Sequence, residues 1–369
     1  MGTGLSIYLP AGLLVGGCAG FVMHRSDFCM AGAFRDLFLF RRTFFLKVLV
    51  LYWGVAALLF EAGRAAGALP FYPFPLLGLP SWTNLAGGAL FGLGMVLAGG
   101  CVVGALYRAG SGSAPALSAV AGMVAGSALY AEIHPAWGAL MKSWALLPPG
   151  VDTLPKLLSV SPPLLVLPAA AAALLLSYRW HRAGALSRRN AASGYLQPRT
   201  AALALAALSF VSWAAVGMPM GITTSYSKAA GWVTRELFPA HFGTLALYKA
   251  VPLSLVDPRT GTPYSGGPGP QWDTISAIQL PLILGLACGA LLSALSLGEL
   301  RFRWKVPANQ YALSVAGGVL MGLASRMAPA CNVWHLLGGV PILAVPSLLF
   351  LLGLFPGAWA GGRIVERVV

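Results

Sequence analysis

Apolar stretches recur along the whole chain, and most approach the length that crosses a membrane. A helix needs about 20 predominantly apolar residues to span the hydrocarbon layer. Candidate spans fall at 5–22, 44–66, 84–98, 115–131, 160–178, 200–218, 234–254, 275–297, 311–325 and 341–361. Several are short for a full crossing. Gly-rich turns with a second, smaller apolar piece occur at 27–40, 98–108, 219–231 and 326–338. These pieces read as half-helices that enter the membrane without crossing it. Irregular backbone at that depth is tolerated only where it lines a cavity or is packed in protein. The expected fold is therefore all-α: a polytopic transmembrane protein with about nine spanning helices plus short re-entrant half-helices. The segment 132–159, with His134, Trp137, Trp144 and Pro148–Pro149, and the Pro/Gly-rich stretch 257–272 read as interfacial loops. Their tryptophans suit the headgroup belt. No basic region precedes the first apolar run, so Leu5–Val22 reads as a retained helix rather than a signal peptide.

Composition removes the soluble alternative. The chain of 369 residues is 57% hydrophobic and 9% charged, where soluble domains carry about 25% charged residues. The net charge of +14 comes from 24 Lys+Arg against 10 Asp+Glu. In a soluble protein that balance would suggest nucleic acid. Here the basic residues fall in short loops between apolar runs, as the positive-inside rule expects, and no nucleic-acid partner is implied. The longest basic loop carries Arg179, Arg182, Arg188, Arg189 and Arg199 and belongs in the cytoplasm, with the Arg301–Lys305 cluster, Arg363 and Arg367 as further inside markers. It divides the chain into a membrane repeat at 1–178, a basic linker at 179–199 and a second membrane repeat at 200–369.

That division agrees with an internal repeat. Shifted by 230 residues, Ala86–Val103 lies over Ala316–Val333 without a gap and with nine identities in 18 positions, including Cys101 over Cys331. Chance would give about one in ten, given the Gly, Ala and Leu content. A weaker match sets the stretch around Cys29 against Gly217–Lys228, where Thr223 or Thr224 takes the place of the cysteine. Two repeats with interrupted helices point to a midplane site between the halves.

Cysteines are the candidate chemistry. Cys18, Cys29, Cys101, Cys288 and Cys331 include no CxxC pair, which argues against a zinc or dithiol motif, and an odd count in apolar segments argues against a disulfide framework. Cys18 and Cys288 lie in plain apolar runs and read as small buried hydrophobes. Cys101 follows Gly99-Gly100 and precedes Gly104, a poor helix interior but a good turn into a helix start. Pro329-Ala330 precedes Cys331 in the same way. A helix N-terminus offers free N–H groups and a partial positive charge to an anion, and a thiol adds a weak donor and a polarizable sulfur. Arg35 and Arg108 follow Cys29 and Cys101 within two helical turns and are candidates for attracting an anion, or plain topology charges. Glu61 and Arg64 read as a local pair. The five histidines are scattered, and neither a Walker A loop nor a GxSxG elbow is present. No metal, cofactor or enzymatic machinery is expected.

These motifs resemble the YeeE/YedE family of bacterial membrane proteins, the thiosulfate-uptake and sulfur-transport group. The resemblance rests on Arg25-Ser26-Asp27-Phe28-Cys29 through Phe34-Arg35-Asp36, then on Phe91 through Gly104, which contains Leu97-Ala98-Gly99-Gly100-Cys101, and on Tyr107-Arg108-Ala109-Gly110. In the second half it rests on Gly221-Ile222-Thr223-Thr224 and on Gly317 through Cys331. The resemblance implies an hourglass-shaped protein of the bacterial inner membrane with two pseudo-symmetric halves. It further implies that Cys29, Cys101 and Cys331 relay thiosulfate by transient hydrogen bonds. Gly99, Gly100, Gly104, Thr223 and Ala330 would line that constriction. A small cytoplasmic sulfur-carrier protein of the TusA type often partners such transporters. Two features depart from the pattern: Ala328-Pro329-Ala330-Cys331-Asn332 replaces Gly-Gly-Cys, with Arg326 before it, and no Glu follows Arg108. The first leans toward the YedE branch, linked to selenium handling. A selenium-compound transporter and a membrane sulfurtransferase working through a cysteine persulfide are the alternatives.

Overall fold

The computed structural model describes residues 3–188, 193–259, 261 and 263–368, with the backbone alone for residues 3–6. Arg189 of the basic linker lies outside the described residues. The first half contains α1 (Thr3–Ser26), α2 (Met30–Leu39), α3 (Phe44–Ala65), α4 (Trp82–Leu97), α5 (Val102–Gly110), α6 (Ala114–Ser143), the short α7 (Leu154–Leu157) and α8 (Pro163–Arg182). The second contains α9 (Pro198–Val216), α10 (Thr223–Leu237), the short α11 (Pro239–Phe242), α12 (Thr274–Ser296), α13 (Ala308–Met327), a π-helical segment (Val333–Gly339) and α14 (Val345–Val368).

Among the described residues, eight helical stretches are long and apolar enough to cross a membrane, two of them composite: α1 with α2, and α4 with α5. The chain is thus a multi-pass membrane protein. A ninth helix, α13, has the length but carries Asn309, Gln310 and Arg326, which lower its hydropathy. It is packed between α4 and α6 rather than facing lipid alone. Large apolar side chains such as Leu14, Leu164, Leu175, Leu284 and Leu352 stay exposed on the outer faces of the bundle, where lipid replaces water as solvent.

Three sequence expectations are corrected. The span expected at 234–254 does not form: Pro239, Gly243 and Pro252 break it into α11, a single 3-10 turn at Ala246–Lys249 and strand β1 (Leu253–Val256). The stretch 257–272 is partly structured, since β2 (Pro263–Gly266) pairs antiparallel with β1, Leu253 opposite Gly266. The segment 132–159 is not all loop, because α6 runs on through Pro135 to Ser143. Proline removes one backbone donor from a helix interior, and neighbouring groups compensate in a packed bundle. Trp137 Nε1 donates to Met327 O at 2.9 Å and fastens this extension to the end of α13.

Helix contacts come in matched pairs. α1 packs along α12, and α9 along α3; α4 packs along α14, and α13 along α6; α1 meets α9, and α4 meets α13. Each pairing in the first half thus has a counterpart that involves the second. Small residues make it possible. Lipid gives helices no hydrophobic reason to associate, so close backbone approach and van der Waals contact must do it. A Cβ on Gly285 would lie 2.5 Å from Leu13 O across the α1–α12 seam, and one on Gly94 would lie 2.8 Å from Gly317 O where α4 crosses α13.

The two ends of the bundle differ. At one end Arg25 Nη1 donates to Gly194 O (3.1 Å), the Arg188 guanidinium lies 4.9 Å from the Phe45 ring centre, and Arg303 N donates to Gly112 O (2.8 Å). The opposite end carries the hairpin. There Lys228 Nζ reaches down from α10 to Gly269 O, Gln271 O and Asp273 Oδ2 at 2.9, 2.9 and 2.7 Å, which holds the 267–273 loop in place.

Candidate functional site

Two half-helices begin against each other inside the bundle. Asp27, with φ of 52°, turns the chain out of α1. Cys29 is then extended (φ −133°, ψ 128°) and forms the N-cap of α2. In the second case Gly99 takes the left-handed conformation (φ 65°) that ends α4, and Cys101 is the extended N-cap of α5. The Cys101 Sγ accepts from Gly104 N at 3.3 Å, the geometry of an ordinary cap with sulfur in place of oxygen. The sulfurs of Cys29 and Cys101 are 3.8 Å apart. Gly104 fits beside both: a Cβ there would lie 2.7 Å from Cys29 Sγ and 3.5 Å from Cys101 Sγ. All five cysteines are free.

Cys331 closes the second half. After α13 ends, Ala328 is extended and Ala330 takes φ of 114°, a strained value for any residue with a side chain. Cys331 and Asn332 then lead into the π-helical segment, a form that recurs at functional sites. Cys331 is fully buried. Asn332 Nδ2 approaches Met30 Sδ of α2 at 3.7 Å, so this turn contacts the half-helix that begins at Cys29. Its Oδ1 is buried with no partner. Tyr226 of α10 lies within electrostatic reach of both Cys101 and Cys331, and its hydroxyl is also buried without a partner.

A cavity flanks this centre at each end. The one at the basic end, about 500 Å³, is lined among others by His24, Asp27, Tyr107, Arg108, Glu299 and Arg301. Arg108 folds back so that its Nε donates to Gly104 O (3.0 Å) and its guanidinium fills the space a Gly100 side chain would take. Its Nη2 is buried without a partner. Tyr195 at the rim donates to Glu299 Oε2 at 2.7 Å, and burial with that carboxylate pushes the phenol up to about 12, so it stays neutral. The cavity at the hairpin end, about 280 Å³, is mostly apolar and reaches Ile222, Thr223, Pro329, Ala330 and Trp334. Arg326 lines it, with Nη2 donating to Thr223 Oγ1 at 2.9 Å.

The structure therefore gathers Cys29, Cys101, Gly99, Gly100, Gly104 and Arg108 on one side of the centre, and Cys331, Ala330 and Thr223 on the other. Arg35 is placed differently: it is 37% exposed and bonded to Asp36 at 2.8 Å, which neutralises it. Cys18 and Cys288 face outward rather than into the core. Glu61 and Arg64 form their expected pair, with Arg64 Nε donating to Glu61 Oε1 at 2.6 Å. Sequence reasoning missed Arg326 and Trp334 as lining groups, and Asn332 and Tyr226 as buried polar groups beside the thiols. For Arg326 the signal was there, since a cation inside an apolar helix and away from its loops is costly unless it serves a purpose.

Comparison with known proteins adds an independent line. A family model described as Sulphur transport matches residues 25–360. A thiosulfate transporter, TsuA, of Spirochaeta thermophila is 32% identical over 361 residues, covering 94% of this chain and 97% of that protein. TsuA of Escherichia coli is 40% identical over 104 residues, 28% of either chain. A probable transporter, YedE, of Salmonella typhimurium is 32% identical over 166 residues, 45% of this chain and 37% of that one.

Proposed function

Starting from a chain that belongs to the sulphur transport family, we propose that this protein carries thiosulfate, or a closely related small sulfur anion, across the bacterial inner membrane through a constriction lined by Cys29, Cys101 and Cys331. The observation that carries this reading is the meeting of two half-helix N-termini whose N-cap cysteines have their sulfurs 3.8 Å apart between two cavities. Helix N-termini add partial positive charge that favours an anion, beside the Arg108 guanidinium at the Gly99-Gly100 turn. Thiols are weak donors, so each contact is worth little and the ion is released to the next. Conduction requires this balance, binding strong enough to admit and weak enough to let go.

The chain divides into two halves joined by the 179–199 linker, and the basic end faces the cytoplasm by the positive-inside rule. The large inner cavity, with Arg301 and Arg303 at its rim, is where a TusA-type sulfur carrier would withdraw the ion. No bond of the ion is made or broken in this scheme, and the protein acts as a transporter and not an enzyme.

The test is uptake of radiolabelled thiosulfate into cells stripped of their own sulfate and thiosulfate importers. Native protein should support uptake, and Cys101→Ala at equal abundance should abolish it. Absence of native uptake, even with a sulfur carrier supplied, would defeat the proposal; competition by selenite in the same cells would shift the substrate toward selenium compounds.

A further inference from the structure

The hairpin-end cavity holds a charge that no carboxylate among the described residues pairs with. Its lining includes Arg326 and His134 but no Asp or Glu. Among the described residues no ion pair includes Arg326. Arginine keeps its proton in any protein environment, and a charged side chain inside the membrane is costly unless paired. Its Nη2 is satisfied by Thr223 Oγ1, yet its Nε is buried with no partner. A second residue of the lining also carries an unpartnered donor. Trp334 is 3% exposed, its ring is fixed against Phe74 (centroids 4.8 Å apart, 84° between planes), and its Nε1 has no partner. Buried donors are almost always satisfied, and each orphan carries the full cost of its lost hydration. Two such donors on residues that line one cavity, one of them on a guanidinium without a carboxylate beside it, suit an anion.

We infer that Arg326 and Trp334, with Thr223 orienting the guanidinium, form an outer receiving site for a tetrahedral sulfur oxyanion, which they hold before it reaches Cys331. The inference rests on the transport reading above but assigns a site outside the thiol constriction. The oxygens of the ion accept from Arg326 and the indole N–H. The remaining wall is apolar, with Leu76, Leu247 and Ile275 among its residues. That wall suits the poorly hydrated terminal sulfur of thiosulfate better than a fourth oxygen, so the site discriminates against sulfate. Its volume of about 280 Å³ equals that of about nine liquid waters, room for one such ion with part of its hydration shell. The site lies against Ala330 and Ile222, directly beside Cys331 in the chain and in space.

The experiment is equilibrium binding of radiolabelled thiosulfate to the purified full-length protein in nanodiscs, with uptake measured in parallel. Native protein should bind saturably and be displaced far less well by sulfate. Arg326→Gln should lower the affinity more than tenfold, Trp334→Phe about threefold, and Arg326→Lys should retain part of the binding. Native affinity in folded Arg326→Gln would overturn the inference, as would absence of saturable binding by the native protein. If Arg326→Gln does not fold, native affinity in both Arg326→Lys and Trp334→Phe overturns it. Arg326-dependent binding without uptake would uphold the site and defeat the transport proposal; uptake with Arg326-independent binding would do the reverse.

Discussion

Replacing Gly104 by alanine places one methyl group between the two thiols of the constriction. Its Cβ would stand 2.7 Å from Cys29 Sγ, where unstrained carbon contacts are about 3.5–4.0 Å. Something must therefore move by about 1 Å. The Gly104 N–H already serves the Cys101 cap, and Arg108 Nε holds the Gly104 carbonyl, so the start of α5 is pinned on both sides. Cys29 is the group left to yield, and the sulfur separation of 3.8 Å must open. Overpacking of this kind costs ~1–3 kcal/mol, offset by ~0.5–1 kcal/mol because alanine is the better helix residue. A net ~1–2 kcal/mol set against the conducting arrangement corresponds to a five- to thirtyfold slower passage. The assay is the initial rate of thiosulfate uptake at equal membrane abundance, with thermal unfolding of the purified variant beside it. Uptake should fall within that range while the fold persists. Adding Cys29→Ala to the same protein makes room for the methyl group, so the unfolding temperature should recover while uptake stays low. Native uptake by Gly104→Ala would refute the claim that the paired thiols lie on the path.

Other expectations follow from single contacts. Ala330→Gly relieves a backbone held at φ of 114° and should stabilise the protein by ~1 kcal/mol, read as a higher unfolding temperature in detergent. Gly92→Leu forces a side chain onto the α14 backbone, where even a Cβ would meet Leu354 O at 2.6 Å; membrane abundance should drop severely, with no folded monomer by size-exclusion chromatography. Lys228→Met leaves Asp273 as an unpaired, largely buried carboxylate and should cost ~3–5 kcal/mol, whereas the double change with Asp273→Asn should recover much of it. Ser81→Ala deletes the cap at the start of α4, where Ser81 Oγ accepts from Thr83 N at 3.3 Å, and should cost ~1 kcal/mol in a denaturant series.

Hydropathy, charge and motif spacing along the chain were enough for the membrane class, the basic end, the family and the half-helices that begin at Cys29 and Cys101. Each depends on residues adjacent in sequence: an apolar run of given length, a glycine at the turn, a thiol in the capping position. The same local logic failed at 234–254, where apolar content suggested a span and the prolines prevented it, and at 132–159, which read as a loop although α6 runs on to Ser143 with Trp137 fastened to Met327 O. Which groups share a space follows only from the folded chain. Cys29 and Cys101 are 72 residues apart in the chain, and their 3.8 Å separation follows from how α2 and α5 turn back into the bundle. Arg35 and Arg108 look alike in sequence, yet one is neutralised by Asp36 and the other lies over the Gly99-Gly100 turn. Arg326 meets Thr223 across 103 residues, and that no carboxylate among the described residues pairs with it is a property of the packed cavity. Periodicity and composition are local averages, whereas a site is a sum of contacts between distant segments, and its electrostatics depend on every group that the fold brings near or keeps away.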